Sequence, residues 1–392
     1  MTKRTKHWRT SARVACSVVL VMVVAACASD PMDSDTADAP QAGPSASPSP
    51  ESQPLRAGER FLQLKLPKPY TPSAPGGGTD DYRCLLIDPH LTKPTFLTGA
   101  QFQPQNAKIE HHAVVMLVPP KAAARSRAKD AATPGQGWTC FGDAELGQGQ
   151  VTYVGAWTPG VTETVLKQNV GFPIKPGSLL ILQVHYNLLA IDTRTGETDQ
   201  SGIRLRLTNG TASTKPLRAL PLQAPIELPC ASGESGSLCD RAASVADVTR
   251  RFGRQVGGIE QQLLNLCSDG RAVPGNTQHC DYSVRQPMTM YAVLAHMHLL
   301  GRSMKVELNP GTSHARTLLD VPNFDFDNQQ ARPLPTPVSV KPGDKLRVTC
   351  THDATLRRQL PELRKLPPRY TVWGDGSSDE MCVGWLTISA TS

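Results

Sequence analysis

From Leu180 to Asn187 apolar and polar residues alternate. Leu180, Leu182, Val184 and Tyr186 fall on one face of a strand, and Gln183, His185 and Asn187 on the other. The turn Lys175-Pro176-Gly177 leads into it. A near twin lies further on, where Lys341-Pro342-Gly343-Asp344 feeds the run Lys345 to Cys350. This repeat of turn and strand hints at two related β-domains. A third strand is expected over Tyr291–His298, which puts His296 and His298 on one face. Between Ser244 and Leu266 the period changes. Val245, Val248, Phe252, Val256, Ile259 and Leu263 recur at steps of three and four, as in a helix, with Ser244 and Asp247 placed as a capping box and Gly257-Gly258 weakening the middle. Residues 230–279 therefore read as a helical insertion in an otherwise β-rich chain.

Composition supports that reading. Among 392 residues there are 34 Pro and 31 Gly, and only 19% are charged, which suits a turn-rich β protein. The net charge of +7 does not point to nucleic acid. Lys3, Arg4, Lys6, Arg9 and Arg13 carry much of it, and no acid precedes residue 27.

That basic start precedes an apolar run, Val18 to Val24, and then Ala25-Ala26-Cys27. The layout is that of an export signal. The small residues before Cys27 resemble a bacterial lipobox, whose cysteine becomes the lipidated first residue; an ordinary signal peptide is the alternative. The expectation is a leader over 1–27 and an exported protein, periplasmic or at the cell surface, tied to a membrane by lipid. The Ser/Pro/Asp/Ala-rich stretch 28–58 cannot bury a core and reads as a disordered tether, with a reach of roughly 30 Å.

Eight cysteines remain beyond Cys16 and Cys27: Cys84, Cys140, Cys230, Cys239, Cys267, Cys280, Cys350 and Cys382. An even number in an exported chain argues for disulfides, and the absence of any CxxC argues against a zinc ribbon. The histidines carry the chemistry. His111 and His112 are adjacent, His185 projects from a polar strand face, and His296-Met297-His298 is an HxH. Adjacent histidines point to opposite faces of a regular strand, so one ion takes both only at a strand end or a bulge.

The segments Ile109-Glu110-His111-His112-Ala113-Val114-Val115-Met116, Leu182-Gln183-Val184-His185-Tyr186, His296-Met297-His298-Leu299-Leu300-Gly301 and Ser377-Ser378-Asp379-Glu380-Met381-Cys382 occur in this order. Together they resemble the type II, ascorbate-dependent copper monooxygenases, the group of peptidylglycine α-hydroxylating monooxygenase and dopamine β-hydroxylase. The resemblance implies an all-β fold of two tandem antiparallel, jelly-roll-like β-sandwich domains, here 59–214 and 215–392, the second carrying the insertion. It implies two copper ions: one on His111, His112 and His185, and one on His296, His298 and Met381. A buried core methionine is the alternative for Met381 taken alone; a thioether favours Cu(I). The implied activity is hydroxylation of a C–H bond of a small molecule by O2. It draws on an external, ascorbate-like electron donor and works across a solvent-filled cleft. Cys84–Cys140 and Cys350–Cys382 are implied disulfides; for the other four, Cys230–Cys239 and Cys267–Cys280 are expected. Tyr82 and Gln183 match residues near the cleft, although packing beside the disulfide or a bond to His185 would also account for them. The polar clamp of the peptide-amidating members is replaced by Leu294, Val383 and Trp385, which suggests a less polar substrate. The rival reading is a lipid-anchored protein that stores, senses or delivers copper.

Overall fold

The computed structural model describes residues 53–73, 80–140, 144–147, 149–188 and 196–390. The leader, Cys27 and most of the tether lie outside the described residues.

The first part of the chain forms β1 (Glu59–Lys65), β2 (Asp80–Ile87), β3 (Thr95–Gln103), β4 (Glu110–Val118), helix α1 (Pro120–Asp130), β5 (Trp138–Thr139), β6 (Thr152–Trp157), β7 (Thr164–Val165), β8 (Val170–Ile174), β9 (Leu179–Asn187) and β10 (Gly202–Thr208). The second forms β11 (Lys215–Gln223), helices α2 (Arg241–Gly257) and α3 (Ile259–Cys267), β12 (Thr277–Ser283), β13 (Met288–His296), β14 (Gly301–Leu308), β15 (Arg316–Val321), β16 (Ala331–Val340), β17 (Lys345–His352), α4 (Leu356–Gln359) and β18 (Val383–Ala390).

Among the described residues, three sheets result. A nine-stranded sheet runs β1-β10-β3-β8-β11-β18-β13-β16, with β7 beside β3. A five-stranded sheet, β5-β2-β9-β4-β6, packs on its first part. Leu180, Leu182 and Val184 of β9 meet Leu97 and Phe102 of β3 and Ile203 and Leu205 of β10 in one core. A four-stranded sheet, β12-β17-β14-β15, packs on the second part, where Val306 and Val348 meet Met290 and Leu386. The fold is thus all-β, each core lying between two sheets. The sheets are not separate, because β11 pairs in parallel with β8 (Lys215 beside Val170) and antiparallel with β18.

The alternation read in β9 is realised. Its even-numbered apolar residues enter the main core, while Leu179 and Ile181, on the face of Gln183 and His185, pack under α1 with Cys84 and Cys140. Gly177 and Gly343 close the two turns at φ of 77° and 95°, where a side chain would be strained.

The helical insertion is present, with its apolar stripe on Tyr370 and Val372 and on the second core. Its cap differs from expectation. The first turn is capped by Asp240, which accepts a bond from Ala243 N at 2.8 Å. Ser244 and Asp247 lie further inside α2. Ser244 Oγ donates to the Tyr370 carbonyl, and Asp247 binds Arg251 and Arg369. A capping pattern was legible, but an acid four residues earlier competes better for the free amides. All four disulfides, Cys84–Cys140, Cys230–Cys239, Cys267–Cys280 and Cys350–Cys382, are formed.

The last residues of the expected tether are docked. Arg206 is fully buried and donates to the carbonyls of Gln53 and Pro54 at 2.6 and 2.9 Å and to the carboxylates of Glu59 and Glu163. A buried guanidinium demands acceptors on all sides, and residues 53 and 54 supply two of them.

Candidate metal centres

Strands β2, β9 and β4 lie side by side, and their register aligns Tyr82 with His185 and His185 with His112. The difficulty posed by adjacent histidines is resolved by a bulge. The β4–β9 register shifts between Glu110 and His112, so the extra residue His111 turns to the side of its neighbour. The buried Glu110 carboxylate fixes the bulge by accepting from Asn106 N at 2.8 Å and from Ser201 Oγ at 2.8 Å.

The three imidazoles converge through one kind of nitrogen. His111 Nδ1 lies 3.2 Å from His112 Nδ1 and 3.2 Å from His185 Nδ1, and the third edge is 3.3 Å. Two of the far nitrogens are held by carboxylates: His185 Nε2 donates to Asp80 Oδ1 at 2.8 Å and His111 Nε2 to Asp327 Oδ1 at 2.5 Å. With Nε2 carrying the proton, Nδ1 keeps its lone pair, as a metal ligand requires. Burial pushes the His112 imidazole well below its ordinary pKa, helped by His185, His111, His296 and His298. Burial also lowers that of His185, against the pull of Asp80. Imidazoles with converging Nδ1 atoms fit copper, which they hold in either oxidation state. The Tyr82 ring stacks on His185 with centroids 4.0 Å apart.

The second set is built at the end of β13. The strand stops at His296, so His298 sits in the turn beyond it rather than on a continuous strand. One carboxylate organises that turn. Glu380, with no exposed surface, accepts from His298 N at 3.0 Å, Leu300 N at 2.6 Å and Met381 N at 3.3 Å. His298 N and Met381 N thus share Glu380 Oε2, which brings the HxH turn and the Met381 segment together. Strand pairing agrees, since His296 lies opposite Val383. The rings of His296 and His298 are 5.3 Å apart, and burial pushes the His296 imidazole down to about 4. Together with the Met381 side chain, His296 and His298 would offer two imidazoles and a thioether, a donor set that fits copper and favours Cu(I).

Comparison with known proteins agrees with this chemistry. Residues 267–388 match the C-terminal domain of the copper type II ascorbate-dependent monooxygenases. That match covers less than half of this chain. DBH-like monooxygenase protein 2 of Mus musculus is 37% identical over 93 residues, 24% of this chain and 13% of that protein. The Homo sapiens protein named "Putative DBH-like monooxygenase protein 2" is 33% identical over 97 residues, 25% of this chain and 17% of its own. The matched stretch is therefore under a fifth of either relative. Among solved structures, a fucolectin from striped bass (Morone saxatilis) serum covers 80% of this chain and 84% of its own, at a TM-score of 0.18 and 6% identity, which carries no argument.

The residues expected near the cleft separate into two groups. Leu294 lies across from Trp385, whose ring packs on Tyr153 of the first half with centroids 4.4 Å apart, and Val383 is buried in the second core. Gln183 turns from the histidines, its Nε2 reaching Cys140 Sγ at 3.5 Å. Where the resemblance implies a solvent-filled cleft, the ring of Phe326 lies 5.0 Å from that of His111 and 6.3 Å from that of His298. Tyr82 Oη also meets Ser377 Oγ at 2.9 Å. Sequence reading missed Asp80, Phe326, Asp327 and Gln329. Only Asp80 left a trace, as an acid two residues before Tyr82 on the same strand face.

Proposed function

We propose that this protein is an exported copper monooxygenase that hydroxylates a C–H bond of a small, weakly polar organic molecule. One atom of O2 enters the substrate and the other leaves as water, with two electrons from an external reductant of the ascorbate class and two protons. The observation that carries the reading is the pair of unlike donor sets in one chain, three converging imidazole Nδ1 atoms in one and His296, His298 and Met381 in the other. Storage or delivery of copper does not call for two dissimilar sites.

Bound copper would supply the one-electron and oxygen chemistry. The chain supplies the rest. Asp80 and Asp327 keep the Nε2 protons of His185 and His111, so that Nδ1 faces the ion. Glu380 holds the His298 and Met381 backbones to one another, and Phe326 sets an apolar ring beside both sets. On this reading residues 59–214 carry the three-histidine copper and residues 215–392 the other. Purified mature protein should contain two coppers per chain and consume oxygen when given reductant and a small aromatic or alkylamine. Two coppers without oxygen uptake under any reductant would instead favour storage or delivery.

Two expectations follow from particular residues. Glycine-extended peptides should be poor substrates, by about 100-fold or more in kcat/KM relative to the best apolar substrate. A carboxylate left unpaired beside Leu294 and Trp385 costs roughly 3 kcal/mol or more, and each 1.4 kcal/mol is about tenfold in rate. Efficient amidation of such a peptide would refute this view of the pocket. Cys27, in turn, should be the lipidated N-terminus of the mature protein. Mass spectrometry of native material decides it, and an unmodified Cys27 or a cut elsewhere overturns the anchor.

A further inference from the structure

The loop between β15 and β16, residues 322–330, reaches both histidine sets. Three of its side chains do so in different ways. Asp327 Oδ1 accepts from His111 Nε2 at 2.5 Å. The Phe326 ring stacks on His111 at 5.0 Å and stands edge-on to His112 at 6.4 Å and to His298 at 6.3 Å. Gln329 Oε1 accepts from His296 Nδ1 at 2.6 Å, while its Nε2 is tied to the Phe326 carbonyl at 2.9 Å. The loop therefore grips one histidine of each set, and its conformation is braced from within.

The Asp327 contact does little for stability. Its carboxylate is 69% exposed, and a solvent-screened pair of this kind contributes little. Its effect falls on His111. This is the bulged residue, held by one strand irregularity rather than by a regular ladder, so its ring needs an external partner to fix its orientation. His185 has that partner in Asp80, from the adjacent strand of the same sheet. His111 takes its partner from the other half of the molecule. A carboxylate on the far N–H also makes the near nitrogen a stronger donor.

Resting on the copper reading above, we infer that Asp327 is a positioning residue for the three-histidine copper, delivered by a strap from the second half, and that it favours Cu(II) there over Cu(I). Asn at this position is nearly isosteric and still accepts a bond, but lacks the charge. Asp327→Asn should keep one copper on His111, His112 and His185. It should lower Cu(II) affinity about tenfold and, with Cu(I) affinity unchanged, raise the reduction potential by about 59 mV for this one-electron couple. Asp327→Glu should restore most of the shift.

The test uses the full mature chain carrying His296→Ala and His298→Ala, so that copper(II) loads the three-histidine set alone. Affinity is read by copper(II) titration, and the ligand field and potential by electron paramagnetic resonance during reductive titration. In the same background His185→Ala should abolish the copper(II) signal. A signal that survives His185→Ala overturns the site reading itself. If His185→Ala removes the signal but Asp327→Asn leaves affinity, spectrum and potential unchanged, the site stands and this inference falls.

Discussion

Replacing Met381 with isoleucine should abolish hydroxylation while leaving one of the two coppers in place. Met381 is the only thioether among the six proposed ligands. Without it His296 and His298 present two imidazoles and no soft donor, and their hold on Cu(I) should collapse. The fold should survive the change. Isoleucine is close to methionine in volume, and volume-conserving swaps cost less than about 1.5 kcal/mol. Met381 meets Glu380 through its backbone N–H, which isoleucine keeps, and Cys382 stays bridged to Cys350. The three-histidine set shares no ligand with Met381 and should stay loaded. Copper per chain should fall from two to one, and reductant-driven oxygen uptake should drop by about a thousandfold or more, equivalent to about 4 kcal/mol. His185→Ala should show the mirror image: the other copper retained, with turnover slowed by poor electron supply. A Met381→Ile protein with two coppers and ordinary turnover would end the site assignment and make storage the stronger reading.

The largest effect on stability should come from Arg206→Met. Arg206 is wholly buried, and Glu59 and Glu163 beside it are nearly so. Removing the cation strands two carboxylates and the carbonyls of Gln53 and Pro54 in the interior. Breaking a buried ion pair from one side costs about 3–5 kcal/mol, which for a chain of this size is a fall in Tm of about 5–15 °C. The loss should depend on pH. Burial works to raise the pKa of Glu59, but bonds from Arg206 and Arg56 outweigh it and bring the group down to about 2. A depressed carboxylate stabilises the fold fully above its ordinary pKa, near 4.5, and loses that contribution as pH falls toward 2. Wild type and Arg206→Met should therefore lie furthest apart near neutrality and approach each other between pH 5 and 2. Thermal unfolding at pH 7 and pH 3 measures this. A variant within a degree of wild type at pH 7 would show that the cluster holds nothing.

How much of this was legible in the chain depended on distance along it. Period two in Leu180–Asn187 identified a core face and a functional face, and His185 lies on the latter. The adjacency of His111 and His112 left a strand end or a bulge as the ways to bring both to one ion, and the backbone has the bulge. Period three to four found the insertion, and the cysteines bracketing it are paired as expected. The failures share a cause. Asp327 and Gln329 sit in a loop with no periodicity, and their partners His111 and His296 are 216 and 33 residues away. Glu380 stood inside a recognised motif, yet its task of gathering three backbone amides belongs to the turn after β13, where the strand reading had run two residues too far. Periodicity assigns faces of regular elements; it carries no information about which irregular segment closes over them.

Strand β11 has a consequence for any attempt to divide the protein. It supplies the neighbour for β8 on one flank and for β18 on the other. A fragment ending at residue 214 would leave that flank of β8 bare, and one starting after residue 223 would do the same to β18, over a run from Gln223 to Leu217 in the intact pairing. A bare strand with a row of unmet amides and carbonyls recruits whatever strand it encounters. The two halves thus act as each other's edge protection, and pieces cut at this seam should self-associate rather than stay dispersed.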